Sequence, residues 1–120
     1  MNAYGFDLVD AGADDVLDAL GDPTRRAVLE LLRGGERPVG QLASALPVSR
    51  PAVSQHLRVL RDAGLVTERR EGTRRLYRVD PQGLAALRTY LERYWSDVLA
   101  AFQDAADRAD DRADDRGGSA

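Results

Sequence analysis

Between Pro38 and Gly64 the chain has room for one arrangement, two helices separated by a turn of three residues. Pro38 to Ala45 carries Leu42 and Ala43 as a short helix, and Leu46-Pro47-Val48 is too brief to be anything but a turn. The second helix has a clear start. Ser49 is a good N-cap, Pro51 lies within the first turn, and Val48 stands where a hydrophobic staple would reach Val53. Gly64 closes it. Two helices joined by so short a turn make a helix-turn-helix unit.

The rest of the chain fits around this unit. Residues 1–12 read as an arm leading into a short helix, Asp14 to Leu20, with Val16, Leu17 and Leu20 at helical spacing. The next helix has Asp22 as cap and Pro23 at the first helical position, where its missing N–H is not needed; Gly34-Gly35 ends it after Arg33. Its expected buried stripe is Val28, Leu31 and Leu32, with Thr24 one turn earlier. After Gly64, Leu65 to Arg70 and Arg74 to Val79 flank Glu71-Gly72-Thr73, the signature of a two-stranded wing.

Asp80-Pro81 repeats the cap-plus-proline pattern and opens an amphipathic helix of about 22 residues. Its apolar positions are Leu84, Leu87, Leu91, Tyr94, Trp95, Val98 and Phe102. From Asp104 a near-repeat of four places Arg108, Arg112 and Arg116 four apart as like charges, and aspartate is a poor helix former near a C-terminus. A frayed or disordered tail is therefore expected over 104–120. The predicted fold is mainly α with a small β-hairpin: a winged helix-turn-helix of five to six helices plus a two-stranded wing, in one domain over 1–103.

The formal net charge is −3, which would argue against a nucleic-acid partner if it were evenly spread. It is not. Residues 1–22 hold six aspartates and no cation, residues 23–80 hold twelve arginines against six acids, and residues 81–120 hold five arginines against eight acids. All seventeen cations are arginine, a usage that coding bias explains as readily as selection, so only their positions carry weight. On a helical wheel, Arg50, Ser54, Gln55, Arg58 and Arg61 fall within an arc of about 140°, opposite Val53, Leu57 and Leu60. Guanidiniums, a hydroxyl and a carboxamide are the groups that read base edges and phosphates, and no acid interrupts them on that face. With Ser49 at the cap and Arg69, Arg70, Arg74 and Arg75 bracketing the wing turn, these residues form the predicted DNA-binding set. Glu68 and Glu71 partly neutralise the wing, which favours phosphate positioning over deep insertion.

Other classes drop out. The absence of cysteine excludes disulfides, thiolate metal centres, iron–sulfur clusters and thiol nucleophiles. The single histidine, His56, flanks the apolar stripe of its helix and reads as a packed or phosphate-adjacent residue, since nothing in the sequence nominates a nucleophile or carboxylate partner for it. No catalysis, metal or cofactor is expected. The longest apolar run, Val98 to Phe102, is far short of the roughly 20 residues needed to cross a bilayer. Acid without cations near the N-terminus does not resemble a secretory signal, so the expected compartment is the cytoplasm.

These residues resemble the ArsR-type winged helix-turn-helix transcriptional repressors. The likeness rests on Asp22-Pro23-Thr24-Arg25-Arg26 followed by Val28-Leu29-Glu30-Leu31-Leu32, on Ser49-Arg50-Pro51-Ala52-Val53-Ser54-Gln55-His56-Leu57 with Leu60, and on Ala63-Gly64-Leu65-Val66 leading to Arg69-Arg70-Glu71-Gly72 and Tyr77. It covers about residues 14 to 102. It implies a dimeric winged helix with the Ser49 helix in the major groove. Where thiol-based metal sensors of that family carry Cys-Val-Cys, this chain has Pro38-Val39-Gly40, and the last helix has no histidine beside Glu92 and Asp97. Metal sensing at the family's sites is therefore not expected, and Arg93-Tyr94-Trp95-Ser96-Asp97-Val98-Leu99 looks like a subgroup without them.

The long apolar stripe needs a partner. Val16, Leu17 and Leu20 with Leu87, Leu91, Tyr94, Trp95, Val98 and Phe102 are the predicted contacts of a two-fold homodimer, which would set two Ser49 helices roughly 34 Å apart on an imperfect palindrome. Tyr90, Tyr94, Trp95 and Phe102 read as packed aromatics ahead of an effector pocket; an effector, small molecule or protein, is left unidentified. The alternative is a winged-helix protein-interaction module that does not bind DNA.

Overall fold

The computed structural model describes residues 11–117 in the order α1 (Ala11–Ala19), α2 (Pro23–Leu32), β1 (Arg37–Pro38), α3 (Val39–Ser44), α4 (Arg50–Asp62), β2 (Val66–Glu71), β3 (Arg74–Val79) and α5 (Pro81–Gly117). The described residues divide into two compact units, the first ending at Arg88 and the second beginning at Thr89. The expected arm falls largely on residues 1–10, outside the described residues. Its last two positions, Ala11 and Gly12, belong to α1, which starts earlier than expected.

Local chemistry sets the helix boundaries in the first unit. The Asp22 carboxylate accepts from the backbone N–H of Thr24 at 2.7 Å and of Arg25 at 3.1 Å, and Pro23 follows in the first turn. Those backbone hydrogen bonds, Arg25 first, hold the Asp22 carboxyl below its usual range. Just inside α2, Arg25 donates through Nε to the Ala19 carbonyl at 2.5 Å, and Arg26 donates to that of Leu20 at 2.7 Å. The two arginines thus satisfy carbonyls at the end of α1 that no helical N–H reaches. At the far end of α4, Leu65 N–H bonds the Leu60 carbonyl and Gly64 N–H that of Arg61, both at 2.9 Å. This is a Schellman closure, and Gly64 takes it at φ +79° without a Cβ to clash.

One core joins these elements. Val16, Val28, Leu32, Leu42, Val53, Leu57, Leu60, Leu65, Val66 and Tyr77 are buried together, each aliphatic contributing about 1.5–3 kcal/mol by leaving water. The apolar stripe read for α4 is the one it buries. Leu31 sits at the edge of this core, half-buried, where the sequence predicted full burial.

The wing is part of a three-stranded sheet, order β1-β3-β2, rather than a bare two-stranded hairpin. Arg37 and Pro38 pair with Tyr77 and Leu76, so the residue predicted to begin the third helix is a strand residue and α3 starts at Val39. Two residues carry no alternation to read, and Pro38 is tolerated because β1 lies at the sheet edge. The β2–β3 turn is two residues, Gly72-Thr73, with Glu71 already paired to Arg74.

A second correction concerns α5. The helix does not fray near residue 103 but continues to Gly117. Ala105, Ala106, Ala109 and Ala113 are strong helix formers, and prolonging an existing helix avoids the nucleation penalty. No helix among the described residues is long and apolar enough to cross a membrane.

Candidate nucleic-acid interface

α4 begins at a capped terminus, with Ser49 Oγ accepting from Ala52 N–H at 3.3 Å. Because Val53, Leu57 and Leu60 hold one side of the helix in the core, the opposite side must face outward. Arg50, Ser54, Gln55, Arg58 and Arg61 are all exposed there. His56 is half-buried at the flank of the apolar stripe, as the wheel implied.

The wing brings its cations together by register. Antiparallel pairing places Arg70 directly opposite Arg75, and Glu71 opposite Arg74. Like charges set face to face across a ladder destabilise it, so the Arg70–Arg75 pair is better suited to meeting an anion than to holding the hairpin closed. Beside the turn, Arg50, Arg74 and Arg75 line a recess of about 420 Å³ together with Thr73 and the Pro38-Val39-Gly40 segment. The first residue of α4 and the tip of the wing therefore present guanidiniums to one space.

Not every predicted arginine is free. Arg61 donates to Glu68 at 2.9 Å, and the same carboxylate lies 3.6 Å from Arg75 Nε and accepts from the Tyr77 hydroxyl at 3.3 Å. The Glu68 side chain is only 14% exposed, a brace between α4 and the wing that sequence reading had counted merely as a neutralising charge. Burial pushes the Tyr77 phenol above its usual range, and the Glu68 charge adds to it. Arg69 makes a fork onto Glu36, at 2.8 Å through Nε and 2.6 Å through Nη2, and also reaches Glu71 at 3.1 Å. These bonds hold the Glu36 carboxyl below its usual range and the Arg69 guanidinium above its own.

Among the twelve arginines of 23–80, four make neither an ion pair nor a side-chain hydrogen bond to any described residue: Arg50 and Arg58 on α4, Arg70 and Arg74 on the wing. All four belong to the predicted DNA-binding set. Arg61 and Arg69 are instead tied to carboxylates seven and 33 residues away in sequence. No local signal could have shown either tie.

The predicted dimer contacts divide in the same way. Val16 is 0% exposed in the core of its own chain and is unavailable to a partner, a correction that follows from the α1 stripe packing inward. Leu20 and Leu87 are partly buried against that core. Leu17 is exposed, as are Leu91 and Val98, while Tyr94 at 62%, Trp95 at 61% and Phe102 at 72% leave most of their surface in water. Those aromatics are not packed against the described residues. The described residues contain no cluster of three or more His, Asp or Glu placed to hold a metal ion.

Comparison with known proteins follows the same outline. The pattern described as "Bacterial regulatory protein, arsR family" matches residues 22–68, the span from the Asp22 cap to Glu68. The HTH-type transcriptional regulator Rv2034 of Mycobacterium tuberculosis is 55% identical over 94 residues, covering 78% of this chain and 88% of that protein. The crystal structure of a possible transcriptional regulator for arsenical resistance superposes with a TM-score of 0.63 at 51% identity, over 72% of this chain and 94% of the other. A solution structure of the homodimeric winged helix-turn-helix DNA-binding domain of Mb0332 from Mycobacterium bovis matches with a TM-score of 0.57 at 36% identity, over 72% of this chain and 79% of that one.

Proposed function

The chain belongs to the ArsR family of bacterial regulatory proteins, and from that premise we propose that it is a repressor working as a two-fold homodimer on an imperfect palindrome in promoter DNA. The observation that carries this reading is the set of four unpaired guanidiniums on α4 and the wing, in a protein whose total charge is negative. Arg58, Ser54 and Gln55 face the base edges of the major groove, where arginine forks onto guanine and glutamine onto adenine. Ser49, Arg50, Arg70, Arg74 and Arg75 hold phosphates, with the recess at the α4 start seating one of them. Arg61 and Arg69 serve this surface by fixing the wing, through Glu68 and Glu36.

Leu17, Leu91, Tyr94, Trp95, Val98 and Phe102 supply the dimer contact, because exposed aromatics in such number need cover. The assembly occludes a promoter in the cytoplasm, and an effector that prefers a dimer with altered α4 spacing releases it.

The test is binding of the full-length protein to its own promoter fragment, followed by fluorescence anisotropy at several salt concentrations. Affinity is expected to fall steeply with salt, and the double variant Arg50→Ala, Arg58→Ala to lose specific binding while sedimenting as wild type. A double variant that still retards the fragment, or a wild type indifferent to DNA, overturns the assignment.

A further inference from the structure

Of the cavities of the first unit away from the α4 surface, one combines apolar and charged lining. A groove of about 880 Å³ lies between the C-terminal part of α2, the β2–β3 hairpin and the first turn of α5. Its apolar lining is Leu29, Val79 and Leu84 above the buried Leu32, with Leu84 41% exposed and Leu29 and Val79 half-buried. That size and lining are those of a site for a small organic molecule rather than for a bare ion.

The polar groups decide which molecule. Three guanidiniums, of Arg33, Arg69 and Arg78, line the groove against two carboxylates, of Glu30 and Glu36. Arg33 pairs with Glu30 at 3.0 Å, and Arg69 takes Glu36 in its fork. Arg78 is the cation left over: its Nε bonds only the neutral Thr67 hydroxyl, at 3.1 Å, and no carboxylate lies within ion-pairing distance of it among the described residues. A guanidinium that makes no ion pair among the described residues, beside an exposed aliphatic floor, complements a negative charge attached to an apolar body. A cation would meet Arg78, and a second negative charge would meet the neighbouring Glu36 carboxylate.

We propose that this groove binds an amphipathic monocarboxylate, with its apolar body on Leu29, Val79 and Leu84 and its headgroup on Arg78. The headgroup then sits beside the Arg69–Glu36 pair that ties the wing to the segment after α2, so an occupant lies where the wing is anchored. The site is argued from the groove alone and does not depend on DNA binding.

The experiment is a titration of the isotopically labelled full-length protein with sodium decanoate, and separately with decan-1-ol, read by amide chemical shifts without DNA. Decanoate is expected to move resonances of residues 29–36, 69 and 78–84. Arg78→Gln should weaken decanoate about tenfold or more, the loss of one charged hydrogen bond, and leave decanol unchanged. Leu84→Gln, a change at an exposed position, should weaken both. Shifts centred on Leu91 to Phe102, or decanoate affinity unaltered in Arg78→Gln, overturn the proposal and leave the regulatory reading standing. Loss of promoter binding in Arg50→Ala, Arg58→Ala leaves the groove untouched.

Discussion

Gly83→Ala is the substitution whose outcome most directly tests the packing described above. Gly83 lies in the first turn of α5, and on helix propensity alone alanine there would stabilise by at most about 1 kcal/mol. The structure reverses the sign. A Cβ on residue 83 would stand 2.4 Å from the Gly64 carbonyl oxygen, 2.7 Å from its carbon and 3.1 Å from the Leu65 nitrogen. All three are backbone atoms of the Schellman closure that ends α4, so no side chain can turn aside. Gly83 N–H also donates to that Gly64 carbonyl at 3.0 Å. Relief requires the start of α5 to move, which breaks this bond and disturbs Leu65, a fully buried residue.

Overpacking costs about 1–3 kcal/mol and the lost hydrogen bond about 1 kcal/mol; less the propensity gain of about 1 kcal/mol, the net loss is about 1–3 kcal/mol. For a chain of this size the thermal midpoint should fall on the order of 10 °C. Gly40→Ala is the internal control. Its Cβ meets nothing within 4 Å, its φ is unexceptional, and it should hold or raise the midpoint by a few degrees. Circular dichroism melts of the three proteins, with urea titrations to separate stability from compactness, measure both. A Gly83→Ala protein as stable as wild type would refute the reasoning, because it would mean that α5 does not start against Gly64.

Other consequences follow from named contacts. Glu68→Ala removes the brace between Arg61, Arg75 and Tyr77; with both arginines half-exposed the loss in urea unfolding should be about 1 kcal/mol, while non-specific DNA affinity rises with a steeper salt dependence. Asp22→Ala should lower the midpoint at pH 7. Because the Asp22 carboxyl titrates below its unfolded value, its contribution is complete above about pH 4 and disappears as pH falls through the depressed value, so the two melting curves should converge in acid. The raised Tyr77 phenol gives the opposite sign. Its contribution is complete below about pH 10 and fades as pH rises through the folded value, so Tyr77→Phe should flatten the alkaline loss of stability that wild type shows. Trp95→Glu with Phe102→Glu should yield a folded monomer in sedimentation velocity, since both side chains leave most of their surface exposed among the described residues.

Much of the candidate site is legible in the sequence. The cap at Ser49, the glycine at 64 and the apolar arc of α4 together dictate which side of that helix faces outward, and Arg50, Ser54, Gln55 and Arg58 lie on that side. The wing was visible from its turn and its flanking strands, though its third strand was not: Arg37-Pro38 is too short for any pattern to form. The Asp–Arg repeat points to fraying through like charges at four-residue spacing, yet the alanines among them carry α5 onward.

Whatever depends on a residue and its near neighbours was decided by the sequence itself: where helices start and stop, which face of each is apolar, and where positive charge accumulates. Tertiary structure alone decided which arginines are spent on carboxylates, that Val16 belongs to the core and not to a partner, and that residue 83 must lack a side chain. The physical reason is range. Capping and periodicity act over a few residues, whereas the Arg61–Glu68 and Arg69–Glu36 ties and the Gly64–Gly83 contact form between segments that only folding brings together.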